Sequence, residues 1–266
     1  VACSAKSCIA IGSYVDKTGA RQPVVSVNGR AATTVELPAG TTGGTLTAVG
    51  CSPRKCVAAG SYYNASEPGG PFGQSSAGAT ISVDGGPASN IAAPPVPAGS
   101  GTPLLSSVAC GAPGCIVFGS FNNPTFLGGN MNSEPIAHSM ADVPGHAATQ
   151  IAVPNNLSPQ AVNQLVTLSG AACNKRTCVA AGSTADTVYF SSNGQGPVNS
   201  LALVSVNRHA ATAVTPPVGG PSVVREDQLS SAGCSLHLCM AVGDYWDQTQ
   251  EGQAQSNIQA MLWAGR

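Results

Sequence analysis

Cys51-Ser52-Pro53-Arg54-Lys55-Cys56-Val57-Ala58-Ala59-Gly60-Ser61-Tyr62 is the stretch that organises this chain. Two cysteines four residues apart are followed by a short apolar run, a glycine, a hydroxyl and an aromatic. The same order returns at Cys3/Cys8, Cys110/Cys115, Cys173/Cys178 and Cys234/Cys239, so all ten cysteines fall into five C-x4-C pairs. Successive first cysteines are 48, 59, 63 and 61 residues apart, a five-fold repeat of unequal length. After the second cysteine the other repeats read Ile9-Ala10-Ile11-Gly12-Ser13-Tyr14, Ile116-Val117-Phe118-Gly119-Ser120-Phe121, Val179-Ala180-Ala181-Gly182-Ser183-Thr184 and Met240-Ala241-Val242-Gly243-Asp244-Tyr245.

Working outward, alternating apolar residues lead into each first cysteine, as in Leu46-Thr47-Ala48-Val49-Gly50 and Leu105-Ser106-Ser107-Val108-Ala109. A third strand-like run follows at Val24–Val27, Ala79–Val83, Pro135–Met140, Leu201–Val206 and Ile258–Trp263. A fourth is expected in four repeats, at Ala32–Leu37, Ser89–Ala93, Ala148–Val153 and Ala211–Thr215. These runs are short and bounded by Gly, Pro, Asn and Asp, the punctuation of antiparallel strands. No segment has a convincing helical period, and residues 157–166 read as a connection between units. Four strands, A to D, in each of five units predict an all-β, five-bladed β-propeller with one C-x4-C hairpin disulfide per blade. A β-solenoid or a pair of sandwiches is the rival. The expected organisation is one domain over 1–266, with blades at about 1–40, 41–97, 98–156, 157–218 and 219–266. The chain opens at the end of an A strand and closes after a C strand. Either the fifth blade is three-stranded with an exposed edge, or residues before Val1 complete it.

The cysteines are expected as disulfides rather than metal ligands. A four-residue hairpin loop sets its flanking residues opposite each other, within reach of an S–S bond. Metal sites favour C-x2-C or mixed His sets, and four histidines cannot complete five sites. Staples on Ala/Gly-rich strands pin a register that small side chains specify weakly. They imply an oxidising compartment, so the chain is expected to be secreted or at a cell surface.

Only 9% of residues are charged, 42% are hydrophobic and the net charge is −1. That gives no global attraction for nucleic acid, and no apolar run is long enough to span a membrane. Sorted by blade face, the neutrality divides. The A–B and C–D turns carry Lys6, Arg30, Arg54, Lys55, Lys175, Arg176 and Arg208, with His146, His209, His237 and Arg266, against Asp84 and Asp142. The opposite face receives Asp16, Glu67, Glu134, Asp186, Glu226, Asp227, Asp244, Asp247 and Glu251, against Lys17, Arg21 and Arg225.

The long, dissimilar B–C loops are where such a scaffold would hold function. Most aromatics fall there, joined by several asparagines, a combination suited to the apolar faces and polar rims of sugars. The candidate ligand-binding residues are Tyr63, Phe72, Asn123, Phe126, Tyr189, Phe190, Asp244, Trp246 and Asp247. The repeat-equivalent Tyr14, Tyr62, Phe121 and Tyr245 read as wedges between blades. Four residues after the repeat glycine stand Asp16, Asn64, Asn123, Asp186 and Asp247. Local Asx turns are the expected role, with Asp16, Asp186 and Asp247 as weak Ca²⁺ candidates. No cofactor is expected. Two N-x-S/T sequons stand at Asn64 and Asn156.

No catalytic residue is assigned. The expected A strands hold no Asp or Glu at all, and no nucleophile elbow, P-loop or zinc-protease motif is present. The repeat resembles the C-x4-C-x-A-x-G-S/T-Y type of bacterial secreted β-propeller repeat and is distantly similar to BNR-like repeats. The Asp-box of sialidase-type repeats is absent, so the resemblance implies a scaffold and carries no sialidase activity. The expected function is non-catalytic recognition of a glycan or cell-surface ligand through the B–C loops. The first alternative is a protein-interaction module using the opposed faces; the second is a hydrolase or lyase using the acids around Asp244.

Overall fold

The computed structural model describes residues 1–64, 78–91, 103–112, 114–123, 136–142, 148–152, 163–187, 189–190, 194–195, 199–214, 227–247 and 257–265. They form five antiparallel sheets of three or four strands in chain order and one separate two-stranded hairpin, and no helix occurs among them.

The first sheet holds β1 (Ala2–Cys3), β2 (Cys8–Val15), β3 (Arg21–Val27) and β4 (Thr33–Thr34). The second holds β5 (Thr41–Cys51), β6 (Cys56–Asn64), β7 (Gly78–Val83) and β8 (Ala88–Ile91). The third holds β9 (Pro103–Gly111), β10 (Gly114–Asn123), β11 (Ile136–Asp142) and β12 (Thr149–Gln150). The fourth is built from β13 (Asn163–Cys173), β14 (Cys178–Thr187), β17 (Asn199–Val206) and β18 (Thr212–Ala213), with a separate hairpin of β15 (Tyr189–Phe190) and β16 (Gly194–Gln195) inserted in the chain between β14 and β17. The fifth holds β19 (Asp227–Cys234), β20 (Cys239–Asp247) and β21 (Asn257–Gly265). Strands pair in sequence order within each sheet.

Two expected boundaries move. Residues 163–166 belong to β13 rather than to a connection, because the first strand of the fourth sheet runs on past the repeat core. The fourth strands shrink to two residues in three sheets and to Ala88–Ile91 in the second, since only that much of the outer edge is paired.

All five cysteine pairs are disulfides, and each joins direct cross-strand partners at the hairpin. Cα–Cα separations are 3.9 Å for Cys3–Cys8 and 4.0 Å for the other four.

Alternation explains why the second strand is apolar on both sides. Successive residues point to opposite faces, so a strand sandwiched between sheets needs apolar residues throughout. Ala58 packs back toward Ile9, Val25 and Val35 of the first unit, while Val57 and Ala59 pack forward with Leu105, Cys115 and Val117. Phe118 and Ile151 meet Val166, Leu168 and Ala180. Val179, Ala181 and Val204 meet Leu229, Cys239 and Ala241. Four cores therefore join five sheets, and each fully buried Val, Leu, Ile or Phe contributes about 1.5–3 kcal/mol.

The repeat glycine has a steric cause. Each first strand of the second to fifth sheets carries a register shift, which falls beside the repeat glycine of its partner. A Cβ at Gly60, Gly119, Gly182 or Gly243 would overlap the carbonyl oxygen of Thr45, Leu104, Thr167 or Gln228 respectively. In the first sheet β1 is too short to reach that point, and a Cβ at Gly12 would meet only Val24, at 3.6 Å.

The extra residue in each shifted strand bears a hydroxyl, and in three of the four that hydroxyl joins sheets, while Ser230 Oγ donates to the Val242 carbonyl of its own sheet. Thr47 Oγ1 donates to the Leu105 carbonyl at 3.0 Å, Ser106 Oγ to that of Leu168, and Ser169 Oγ to that of Leu229 at 2.9 Å. The donor stands four residues before the first cysteine and the acceptor five before the next sheet's.

Candidate functional site

The two ends of the sheets differ in construction. At the disulfide end, a side chain inside four of the five turns accepts from the turn's own backbone. Ser4 Oγ accepts from the amides of Lys6 (3.1 Å) and Ser7 (3.0 Å), Ser52 Oγ from Arg54 (3.3 Å) and Lys55 (3.1 Å). Asn174 Oδ1 accepts from Arg176 and Thr177, both at 2.8 Å, and Ser235 Oγ from Leu238 at 3.2 Å. These are Asx and Ser/Thr turns, which hold a tight loop without a large side chain.

The third-to-fourth strand turns are locked onto the second cysteine. Asn28 Oδ1 accepts the Cys8 amide at 2.8 Å, Asp84 Oδ1 the Cys56 amide at 2.7 Å, and Asn207 Oδ1 the Cys178 amide at 2.8 Å. All three have positive φ (53°, 51° and 51°), a conformation Asn and Asp tolerate better than other side-chain-bearing residues. Glycine follows at 29 (φ 71°) and 85 (φ 77°), as a two-residue hairpin with two positive φ values prefers, whereas Arg208 (φ 65°) stands at the third such position.

Neighbouring disulfide turns touch. Ser7 Oγ lies 3.9 Å from Cys56 Sγ, Cys51 Sγ lies 3.4 Å from the Ala2 carbonyl, and Asn174 Nδ2 lies 3.7 Å from Cys239 Sγ. Gly50 faces Val108 and Cys110, and Gly111 faces Asn174. The turns thus form one continuous row from the first sheet to the fifth. Lys6, Arg30, Arg54, Lys175, Arg176, Arg208, His209 and His237 are exposed along it, and Lys55 is half-buried.

At the opposite end the second strands run out together. Asn64, Asn123 and Asp247 close β6, β10 and β20, Asp186 is the penultimate residue of β14, and Asp16 follows β2 directly. Asp16 is an Asx turn. Its Oδ1 accepts from the Thr18 hydroxyl (2.6 Å), the Thr18 amide (2.8 Å) and the Ala20 amide (3.0 Å), and Oδ2 from Gln22 Nε2 (2.9 Å). Those bonds, from Thr18 first and then Gln22, lower its pKa to about 2. With its oxygens so engaged, Asp16 acts as a turn residue. No group of three His, Cys, Asp or Glu side chains placed to hold a metal occurs among the described residues.

Tyr63 is half-buried near the end of β6, and Asp244 is half-buried with both oxygens accepting from Gln228 Nε2 at 3.3 Å. Trp246 and Asp247 lie in β20 opposite Ile258 and Asn257, and Tyr189 and Phe190 form β15. Phe72 and Phe126 fall outside the described residues. Of the four aromatics read as wedges, Tyr62 is buried, with its ring against Gly78, while Tyr14 is 46% exposed, its hydroxyl 3.4 Å from that of Thr34 in its own sheet. Phe121 and Tyr245 occupy the corresponding strand positions in β10 and β20.

The cross-sheet hydroxyls, the turn acceptors and the Asx locks were not singled out in the sequence. Their signals were there: Thr or Ser four residues before Cys51, Cys110, Cys173 and Cys234, and Ser or Asn just after the first cysteine of four repeats. Five disulfides point to an oxidising compartment. No described helix is long and apolar enough to cross a membrane. No family model matches the chain, and neither a curated protein nor a solved structure does.

Proposed function

We propose that this chain is a secreted or cell-surface binding protein, built as a five-bladed β-propeller, that recognises a glycan or cell-surface ligand at the end opposite its disulfides and does not transform it. One observation carries the reading. In every sheet the second strand ends on that side, bringing Tyr63, Asn64, Asn123, Asp186, Trp246 and Asp247 to the roots of the B–C connections. Aromatic faces beside amide and carboxylate groups match the apolar faces and polar rims of sugar rings. Ring closure is supported by the repetition of the interface. The fifth sheet exposes Met240 (43%), Val242 (46%) and Leu262 (62%), on the face the first four sheets bury against a successor. The first sheet in turn leaves Ala10 half-exposed, although its counterparts Ala58, Ala180 and Ala241 are buried against a preceding sheet.

Glycan-array binding by the oxidised protein, repeated with Trp246→Ala and Tyr63→Ala, tests the recognition. A loss of about tenfold in either variant is expected, equivalent to about 1.4 kcal/mol. Absence of glycan binding, or binding indifferent to both variants, counts against it. A second reading, docking of a protein partner between cationic and anionic ends, is favoured by the cationic row of turns. It predicts association that weakens steeply as salt rises.

A further inference from the structure

We propose that the row of disulfide turns is a second binding surface, for an anionic polysaccharide whose carboxylate, sulfate or phosphate groups recur along the chain. The surface is separate from the B–C end and does not depend on that end binding a glycan.

Charge is concentrated there. Seven of the eleven Lys and Arg residues lie on it: Lys6, Arg30, Arg54, Lys55, Lys175, Arg176 and Arg208. None has an ion-pair partner among the described residues. The acids on that side are Asp84 and, at the close of β11, Asp142. Asp84 spends an oxygen on the Cys56 amide, and the first and fourth sheets make the same lock with Asn28 and Asn207, which carry no charge. Since the whole chain has a net charge of −1, this end is strongly positive and the remainder correspondingly negative.

Arg208 adds an independent argument. It occupies a left-handed position that glycine takes at 29 and 85, where an L side chain is disfavoured and glycine is not. A cation retained at a backbone cost is a reason to look for function at that place.

The geometry favours a long polymer over a single small anion. Lys and Arg stand on the turns of the first, second and fourth sheets, and the described turns of the third and fifth carry none. With consecutive sheets about 10 Å apart, the cations fall in two clusters that a long polymer can bridge and a single small anion cannot. The turn backbones are already satisfied by Ser4, Ser52, Asn174 and Ser235, leaving the long cationic side chains as the groups on offer. Single-stranded nucleic acid would want aromatic stacking, and the described disulfide turns present no Phe, Tyr or Trp. An anionic membrane would want an apolar patch beside the charges. Leu236 and Val83 are exposed there as scattered single side chains.

Affinity is measured on the oxidised full chain with polygalacturonate, dextran sulfate, uncharged dextran and oligodeoxythymidylate, over a salt series. Binding to either acidic polysaccharide, none to dextran, and a steep loss with salt are expected. Arg208→Gly should weaken binding severalfold while raising the thermal midpoint, a pairing that a merely structural role would not give. Asp84→Asn should keep the amide lock, as Asn28 and Asn207 do, and tighten binding severalfold. The combined Lys175→Ser, Arg176→Ser and Arg208→Gly variant should lose at least tenfold and flatten the salt dependence. Lys17→Ser with Arg21→Ser, at the other end, should change nothing, and Trp246→Ala should leave this binding intact. The proposal is overturned if neither acidic polysaccharide binds above dextran, if the Lys17/Arg21 variant loses as much as the fourth-sheet one, or if oligodeoxythymidylate binds more tightly than both polysaccharides. It is also overturned if sedimentation shows only salt-sensitive self-association through these residues.

Discussion

Val204 in the fourth sheet and Leu262 in the fifth occupy the same place in their repeats, each paired with the third residue after a second cysteine. Val204 is 1% exposed and Leu262 is 62% exposed. Val25 and Ile81, the counterparts in the first and second sheets, are each 2% exposed. Nothing local separates the four positions: all are apolar, in the third strand, behind an intact disulfide hairpin. The difference is made by the next sheet, which supplies an apolar face and a hydroxyl acceptor to the one before it. Burial in this molecule is therefore a property of the interface between repeats, as in other repeat architectures where each unit leans on its neighbours.

The largest effect that would sharpen this contrast is at the repeat glycine. Gly182→Ala drives a methyl into the Thr167 carbonyl and should cost about 3 kcal/mol or more in denaturant unfolding. Gly12→Ala, whose methyl would meet only Val24 and at an ordinary contact distance of 3.6 Å, should stay within about 0.5 kcal/mol of the parent. Equal effects would break the link between the glycine and the bulged first strand. Next comes apolar truncation. Ile81→Ala should cost about 2–5 kcal/mol. If the first sheet covers the fifth as proposed, Leu262→Ala should approach that range; a cost below about 0.5 kcal/mol would mean the face stays bare in solution.

A smaller effect of opposite sign is expected at Ser107, whose buried hydroxyl has no hydrogen-bond partner. The equivalent position in the second sheet is Ala48, so Ser107→Ala should fit without strain and stabilise by about 1 kcal/mol. The smallest effect belongs to the first sheet's turn at Asp16. Its folded pKa of about 2 lies below that of a free carboxyl, so its contribution is present above about pH 4. That contribution is lost as pH falls through 2. The acid limb of the stability profile should therefore flatten in Asp16→Asn, and an unchanged limb would refute the assignment.

Much of the fold was legible because its signals are local. Paired cysteines, alternating runs and turn residues announced the strands and the disulfides, since a four-residue hairpin brings Cys51 and Cys56 together whatever surrounds them. The bulges were not legible. Aligning repeats on cysteine hides one extra residue upstream, so Thr47, Ser106 and Ser169 looked like ordinary strand hydroxyls until the register shift placed them against the next sheet. The bare fifth face was equally invisible, because Met240-Ala241-Val242 has the same pattern as Val179-Ala180-Ala181. Of the candidate binding residues, strand register could place Asn123, Trp246 and Asp247 at one end. The surface they build depends on connections whose sequences are unlike one another and follow no repeat rule. The cationic row was readable as a separation of charge; the contacts between turns that make it continuous were not, because they join residues tens of positions apart.

The proposal that the five sheets close into one ring is tested most directly by placing a photoactivatable benzophenone amino acid at position 262 of the oxidised protein. The account predicts cross-links, within the monomer band, to the open face of the first sheet around Cys8, Ala10 and Val24. Cross-links found only in a dimer band, or none to the first sheet at all, would contradict it.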